Sequence, residues 1–147
     1  MKNPVILASE PYTNTNNVIP TVHKDLIPYY CNDSVIKPRA AILVHKSINN
    51  SCWEIHQFTT PDLIAIKYRH DGREVILASM YMDYNENINL PKLANLIKYA
   101  EKDKLLLLLG ADTNSHHKLW GNKDNNARGE ELLDFLNVHD LSWDLGK

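Results

Sequence analysis

The stretch Leu105–Gly121, LLLLLGADTNSHHKLWG, constrains this chain more than any other. Five consecutive leucines end at Gly110, and a polar cluster follows. An apolar run without polar alternation predicts a strand buried on both faces, and five residues suit a strand better than a helix. Gly110 is expected to stop the run. Asp112 and Asn114 come next, two residues apart. In extended backbone, residues i and i+2 point to the same side. The spacing therefore predicts a carboxylate and an amide together at the mouth of a sheet, where open α/β sheets commonly bind ligands.

Other segments place further elements around that strand. Residues Pro4 to Ser9 predict a short buried strand that ends at Glu10, and Pro11 is expected to hold Glu10 extended. Asn- and Thr-rich residues from Tyr12 to Pro20 predict a loop. Strands are expected at Ile27 to Cys31, Arg39 to His45, Trp53 to Phe58, Leu63 to Tyr68 and Glu74 to Tyr81. Asp71-Gly72 marks a hairpin turn between the last two. Asn89-Leu90-Pro91 predicts a helix start, with Leu93, Leu96, Ile97 and Ala100 on its buried face. After the leucine strand, Asn125 or Asn126 is expected to cap a second helix reaching about Val138. Glu130 and Glu131 suit the positive end of its dipole, and Leu132, Leu133 and Leu136 supply its apolar face. Several antiparallel strands, then helix–strand–helix, predict sheets with helices packed outside.

Two acids, Glu10 and Asp112, fall at predicted strand ends, with Tyr81 at a third and Asn114 beside Asp112. A hard divalent cation such as Mg²⁺ takes oxygen ligands and often only one or two protein carboxylates. Glu10 suits that task. Asp112 suits orienting or deprotonating a water that Asn114 holds, and Tyr81 suits contact with a phosphate. Each residue also has a plainer reading: Glu10 as an exposed loop acid, Asp112 and Asn114 as turn-capping residues, and Tyr81 as core packing. His116 and His117 are adjacent and point apart, which disfavours a shared metal. Trp53 and Trp120 read as packing residues. Lys118, Lys123 and Arg128, with Lys37, Arg39 and Lys46, read as a solvated surface or as a strip that meets a nucleic-acid backbone.

The chain has 147 residues, 44% hydrophobic and 23% charged, enough for one domain with a core. Its formal net charge of −2 argues against coating nucleic acid by charge alone. No apolar run approaches the roughly 20 residues that span a bilayer, and no signal peptide is read at the N-terminus. Cys31 and Cys52 are expected as free thiols, and no zinc pattern is present.

The ordered segments ILASEPY, RAAILVHK, DLIAIKY, ILASMY, GADTNSHHKLWG and NARGEELLDFL resemble the endonuclease domain of non-LTR retrotransposons, within the DNase I-like endonuclease/exonuclease/phosphatase superfamily. The resemblance runs from about Pro4 to Leu136. It implies an α/β fold, a four-layer α/β/β/α sandwich of two mainly antiparallel sheets flanked by helices. It implies hydrolysis of a DNA phosphodiester with Mg²⁺ or Mn²⁺, Glu10 as the metal ligand, and Tyr81, Asp112 and Asn114 as catalytic residues. The partners implied are DNA and a reverse transcriptase domain in the same parent polypeptide, with no membrane, and the location implied is nuclear. Two family parts lack a counterpart here: a strand bearing an active-site asparagine ahead of Glu10, and a terminal Ser-Asp-His segment, which Ser142-Trp143-Asp144 does not supply. Residues 1–147 are therefore expected to form one incomplete domain with unpaired sheet edges. A catalytically inactive remnant, binding nucleic acid or protein, is the second reading; a phosphatase of small esters is the third.

Overall fold

The computed structural model describes residues 4–21, 23–48 and 52–142. Val5–Ser9 (β1), Leu26–Tyr29 (β2) and Ala40–His45 (β3) form one antiparallel sheet in the order β1-β3-β2. Trp53–Ile55 (β4), Leu63–His70 (β5), Arg73–Tyr81 (β6) and Leu106–Asp112 (β7) form a second, in that order. The β5–β6 turn is the expected one: Asp71 and Gly72 have φ of 48° and 73°, as a tight two-residue hairpin requires. Helix Leu90–Lys102 (α1) then carries the chain across the sheet, so β7 enters parallel to β6. Helix Ala127–Val138 (α2) follows, with Asn126 as its N-cap.

Two cores result. Ala40, Ile42 and Val44 of β3 meet Ile64 and Ile66 of β5 between the sheets. On the other face of the second sheet, Leu63, Ala65, Ile76, Ala78 and Met80 pack against Leu93, Leu96, Ile97 and Ala100 of α1 and Leu132 of α2. The two sheets lie face to face with both helices outside the second, an α/β sandwich. Among the described residues no helix covers the first sheet. Cys31 and Cys52 are free thiols. No helix among the described residues is long and apolar enough to cross a membrane.

The leucine run corrects one expectation. The strand buried on both faces is β5, whose Leu63–Ile66 are fully covered. Leu105, just before β7, and Leu107 and Leu109 within it pack toward the helices, but Leu106 is 62% exposed and Leu108 49%. Among the described residues β7 pairs only with β6, and β1 only with β3. The first sheet is three strands wide and does not reach over the start of β7. Leu106 and Leu108, with Tyr68, His70 and Val75, line a cavity of about 990 Å³ there. Gly110 does not end the strand either, which continues to Asp112. A Cβ on Gly110 would stand 2.8 Å from Leu7 Cδ1, so glycine here permits β1 to lie against β7. Several ends also shift: β2 stops at Tyr29 and β4 at Ile55. Trp143 and Asp144 lie outside the described residues.

Candidate active site

Three contacts bring the ends of β1, β3, β5 and β6 to one rim. Glu10 N–H donates to the Arg39 carbonyl at 2.8 Å, and Arg39 N–H donates to the Pro61 carbonyl at 2.7 Å. Tyr81 N–H donates to the Asp62 carbonyl at 2.9 Å. Deeper in, Ser79 Oγ–H donates to the Ala8 carbonyl at 3.0 Å, pinning β1 over β6 just below the rim. Strand β7 joins from the other side. Tyr81 and Asp112 are register partners, and Met82 N–H donates to the Asp112 carbonyl at 2.8 Å.

The four sequence-derived residues therefore lie along one edge. The Glu10 carboxylate lies near the Tyr81 phenol, close enough for its charge to perturb it. Burial, followed by the Glu10 charge, raises the Tyr81 pKa above its ordinary value, and the Asp83 carboxylate adds to this while Arg39 opposes it. The phenol therefore stays protonated and acts as a donor near neutral pH. Tyr81 stands between Glu10, whose charge its phenol feels, and Asp112, which its backbone faces.

Asp112 and Asn114 are together, but not for the reason the spacing gave. The strand ends at Asp112, and Asn114 has φ of 50°. Asn114 N–H donates to Asp112 Oδ1 at 3.2 Å, closing a local turn. Asn114 Nδ2 donates to the Met82 carbonyl at 3.0 Å, which fixes which end of the amide is the donor. The capping reading holds, and it leaves the pair on the rim beside Tyr81. Glu10 also departs from expectation: its φ is 47°, in the left-handed region rather than extended.

The NARG segment holds the loop that bears Asn114. Asn126 Oδ1 accepts from Gly129 N–H at 2.7 Å, capping α2, and from His116 N–H at 3.0 Å. Arg128 donates from Nη2 to the Thr113 carbonyl at 2.9 Å and from Nη1 to the Glu86 carbonyl. A Cβ on Gly129 would fall far inside contact with the His116 carbonyl, so only glycine lets helix and loop meet this closely. Arg128 is thus taken up by backbone carbonyls, and Arg39 by carboxylates. Neither guanidinium is the open surface group expected of a backbone-binding strip. The sequence reading named both arginines but not their partners, because those contacts are long-range.

The paired histidines separate as expected. His116 is exposed, while His117 is buried, accepts from Leu119 N–H at Nδ1 and packs on Trp120. Trp120 Nε1–H donates to the Ser115 carbonyl at 3.0 Å and its ring joins the helix-side core. Trp53 packs on Tyr68 with centroids 4.3 Å apart. Both tryptophans are packing residues. No cluster of three or more His, Cys, Asp or Glu side chains suited to a metal occurs among the described residues. A closed, all-protein metal cage does not fit this rim; a cation held through one carboxylate, with water and phosphate supplying the rest, does.

Comparison with known proteins bears on the fold and on the C-terminal half of the chain. Residues 75–147 match the endonuclease-reverse transcriptase family. The fold is similar to a solved structure described as the endonuclease domain of TRAS1, a telomere-specific non-LTR retrotransposon, with a TM-score of 0.67 and 23% identity. That similarity covers 92% of this chain and 57% of the other. No curated protein matches. The matched segment includes β7, Asp112, Asn114 and the NARG helix start, while Glu10 lies on the part related by fold. Residues 75–147 thus resemble the endonuclease-reverse transcriptase family, and the chain has the fold of the TRAS1 endonuclease domain, of which it spans 57%.

Proposed function

We propose that this chain is a metal-dependent DNA endonuclease domain that hydrolyses a phosphodiester bond and nicks its target. The observation that carries the reading is the rim itself. A carboxylate, a protonated phenol, a second carboxylate and an amide line one edge, delivered by β1, β6 and β7. Glu10 would hold Mg²⁺ or Mn²⁺, which when bound supplies Lewis-acid polarisation of a phosphoryl oxygen. Tyr81 offers its one O–H to the phosphate. Asp112 accepts the proton of the attacking water. Asn114, its amide turned by Met82, presents its oxygen to that water. Such general-base help contributes roughly 10²- to 10⁴-fold in rate.

The natural setting that follows is a parent polypeptide with a reverse transcriptase, acting on chromosomal DNA in the nucleus. The test is nicking of supercoiled plasmid with Mg²⁺, beside Asp112→Asn and a chelator control. Nicking that is lost in both controls supports the assignment. Equal nicking by Asp112→Asn rejects Asp112 as the base. No nicking by the parent protein favours the inactive remnant.

A further inference from the structure

Glu10 and Tyr81 come to one rim, yet they lie on different sheets. What holds them in register is a pair of residues whose main chains and side chains are both engaged. The Arg39 carbonyl accepts the Glu10 N–H, and the Asp62 carbonyl accepts the Tyr81 N–H. The two side chains then join. Arg39 Nε donates to Asp62 Oδ1 at 2.6 Å and Nη2 to Asp62 Oδ2 at 2.8 Å, a two-pronged fork on one carboxylate. Its third nitrogen, Nη1, donates to Asp83 Oδ2 at 2.5 Å, and Glu86 Oε1 lies 3.8 Å from Nη2. The guanidinium carbon lies 5.2 Å from the centre of the Tyr81 ring. The Arg39, Asp62 and Asp83 side chains are only 25%, 19% and 23% exposed.

Resting on the nuclease reading of this rim, we propose that Arg39 and Asp62 form a clamp that positions Glu10 and Tyr81, with Arg39 a positioning residue and not a phosphate contact. The fork is planar and its donors are already satisfied by carboxylates, so DNA would have to break two or three strong bonds to recruit it. A lysine offers a point charge without the fork, so it cannot hold Asp62 by two bonds, reach Asp83 and cover the ring together. Arg39 also sits directly before β3, whose side chains fill the inter-sheet core, so the clamp is seated on the central, most buried strand of the first sheet.

The experiment compares Arg39→Met, Arg39→Lys, Tyr81→Phe and the double variant Arg39→Met/Tyr81→Phe in steady-state plasmid nicking. Misplacing a catalytic couple by about 1 Å costs on the order of a hundredfold. Arg39→Met is expected to lower kcat about ten- to a hundredfold with KM for DNA unchanged. Arg39→Lys is expected to recover little of this loss, and Arg39→Met to add little in the Tyr81→Phe background. A raised KM with kcat intact would make Arg39 a phosphate contact and overturn the proposal, as would equal losses in both backgrounds. A second measurement does not depend on activity. Amide hydrogen exchange at Glu10 and Tyr81 is expected to quicken at least tenfold in Arg39→Met, while Ile42 and Ile64 keep their protection. Unchanged exchange at both rim amides overturns the clamp even if the parent protein nicks. Quickened exchange in a protein that never nicks supports the clamp and leaves the nuclease reading as the part that failed.

Discussion

Replacing Gly129 by alanine sets two effects against each other, and their sizes decide the sign. In a helix, alanine is favoured over glycine by about 0.5–1 kcal/mol. Against this, the new Cβ would overlap the His116 carbonyl, a backbone atom. That carbonyl cannot simply retreat, because it accepts Asn126 N–H at 2.9 Å while His116 N–H is held by Asn126 Oδ1 at 3.0 Å. Overpacking of this kind costs about 1–3 kcal/mol. Losing one of the two ties adds about 1 kcal/mol. The net expectation is a loss of about 2 kcal/mol, or roughly 4–8 °C in Tm for a chain of this size. Gly110→Ala is the comparison. Its Cβ would meet Leu7 Cδ1 at 2.8 Å, a side-chain tip that can turn away, and Leu7 Cβ at 3.0 Å, which must give by a few tenths of an ångström, so it is expected to cost about 1 kcal/mol, less than Gly129→Ala. Urea unfolding of the two variants against the parent chain reads the difference directly. A Gly129→Ala midpoint at or above the parent would refute the claimed contact between helix and loop. So would a larger loss from Gly110→Ala.

Three further outcomes can be checked together. Burial, helped by nearby Lys67, lowers the pKa of His56 from its ordinary 6.5. Asp83 is lowered from 3.8 by the Asn85 N–H, Asp33 by the Val35 N–H, and Asp25 by Lys46. A lowered group contributes fully above its unfolded pKa and loses that contribution as pH falls through the folded one. The melting midpoint should therefore decline gently below about 6.5 and further below about 3.8; a midpoint that rises on acidification from neutral pH contradicts this. Leu108→Lys, at a half-exposed position on the open edge strand, is expected to change stability by less than about 0.5 kcal/mol. It should also reduce self-association in sedimentation, whereas a large loss of stability would mean that the leucine is covered. Asn114→Gly relieves a φ of 50° and forfeits the bond to Met82, so stability should move by less than about 1 kcal/mol while nicking falls. Full nicking by that variant would remove Asn114 from the site.

Local chemistry was legible in the sequence wherever it was sufficient. Asp71-Gly72 gives its turn, Asn126 its cap, and Leu93, Leu96, Ile97 and Ala100 all reach the core, because each depends on neighbours within a turn or two. The exposure of Leu106 and Leu108 was not legible: a leucine run does not reveal how far the facing sheet extends. Gly110 reads locally as a stop, yet its reason is Leu7, brought against it by the packing of the two sheets. Arg39 reads as surface charge because its partners are 23 and 44 residues away. Asp112 and Asn114 were rightly paired, but by a side-chain turn instead of strand alternation.

The backbone gives a separate reason to look at Glu10. Among the described residues, six other than glycine have positive φ: Glu10, Asn17, Asp71, Lys104, Asn114 and Asp140. Four of these are Asn or Asp, the types whose short side chains tolerate the left-handed region. Lys104 lies just beyond the end of α1, where helices routinely finish in that conformation. Glu10 has neither excuse. It sits at a strand end, and a left-handed residue of its type costs about 1–2 kcal/mol. Glycine there would avoid that cost, but it would bring no carboxylate to the Tyr81 phenol. The conformation is held by the Glu10 N–H bond to Arg39 and by β1 packing on β6 through Ser79. Strain kept in place by surrounding structure, at a residue whose side chain faces the rim, is the pattern expected where a side chain is retained for chemistry.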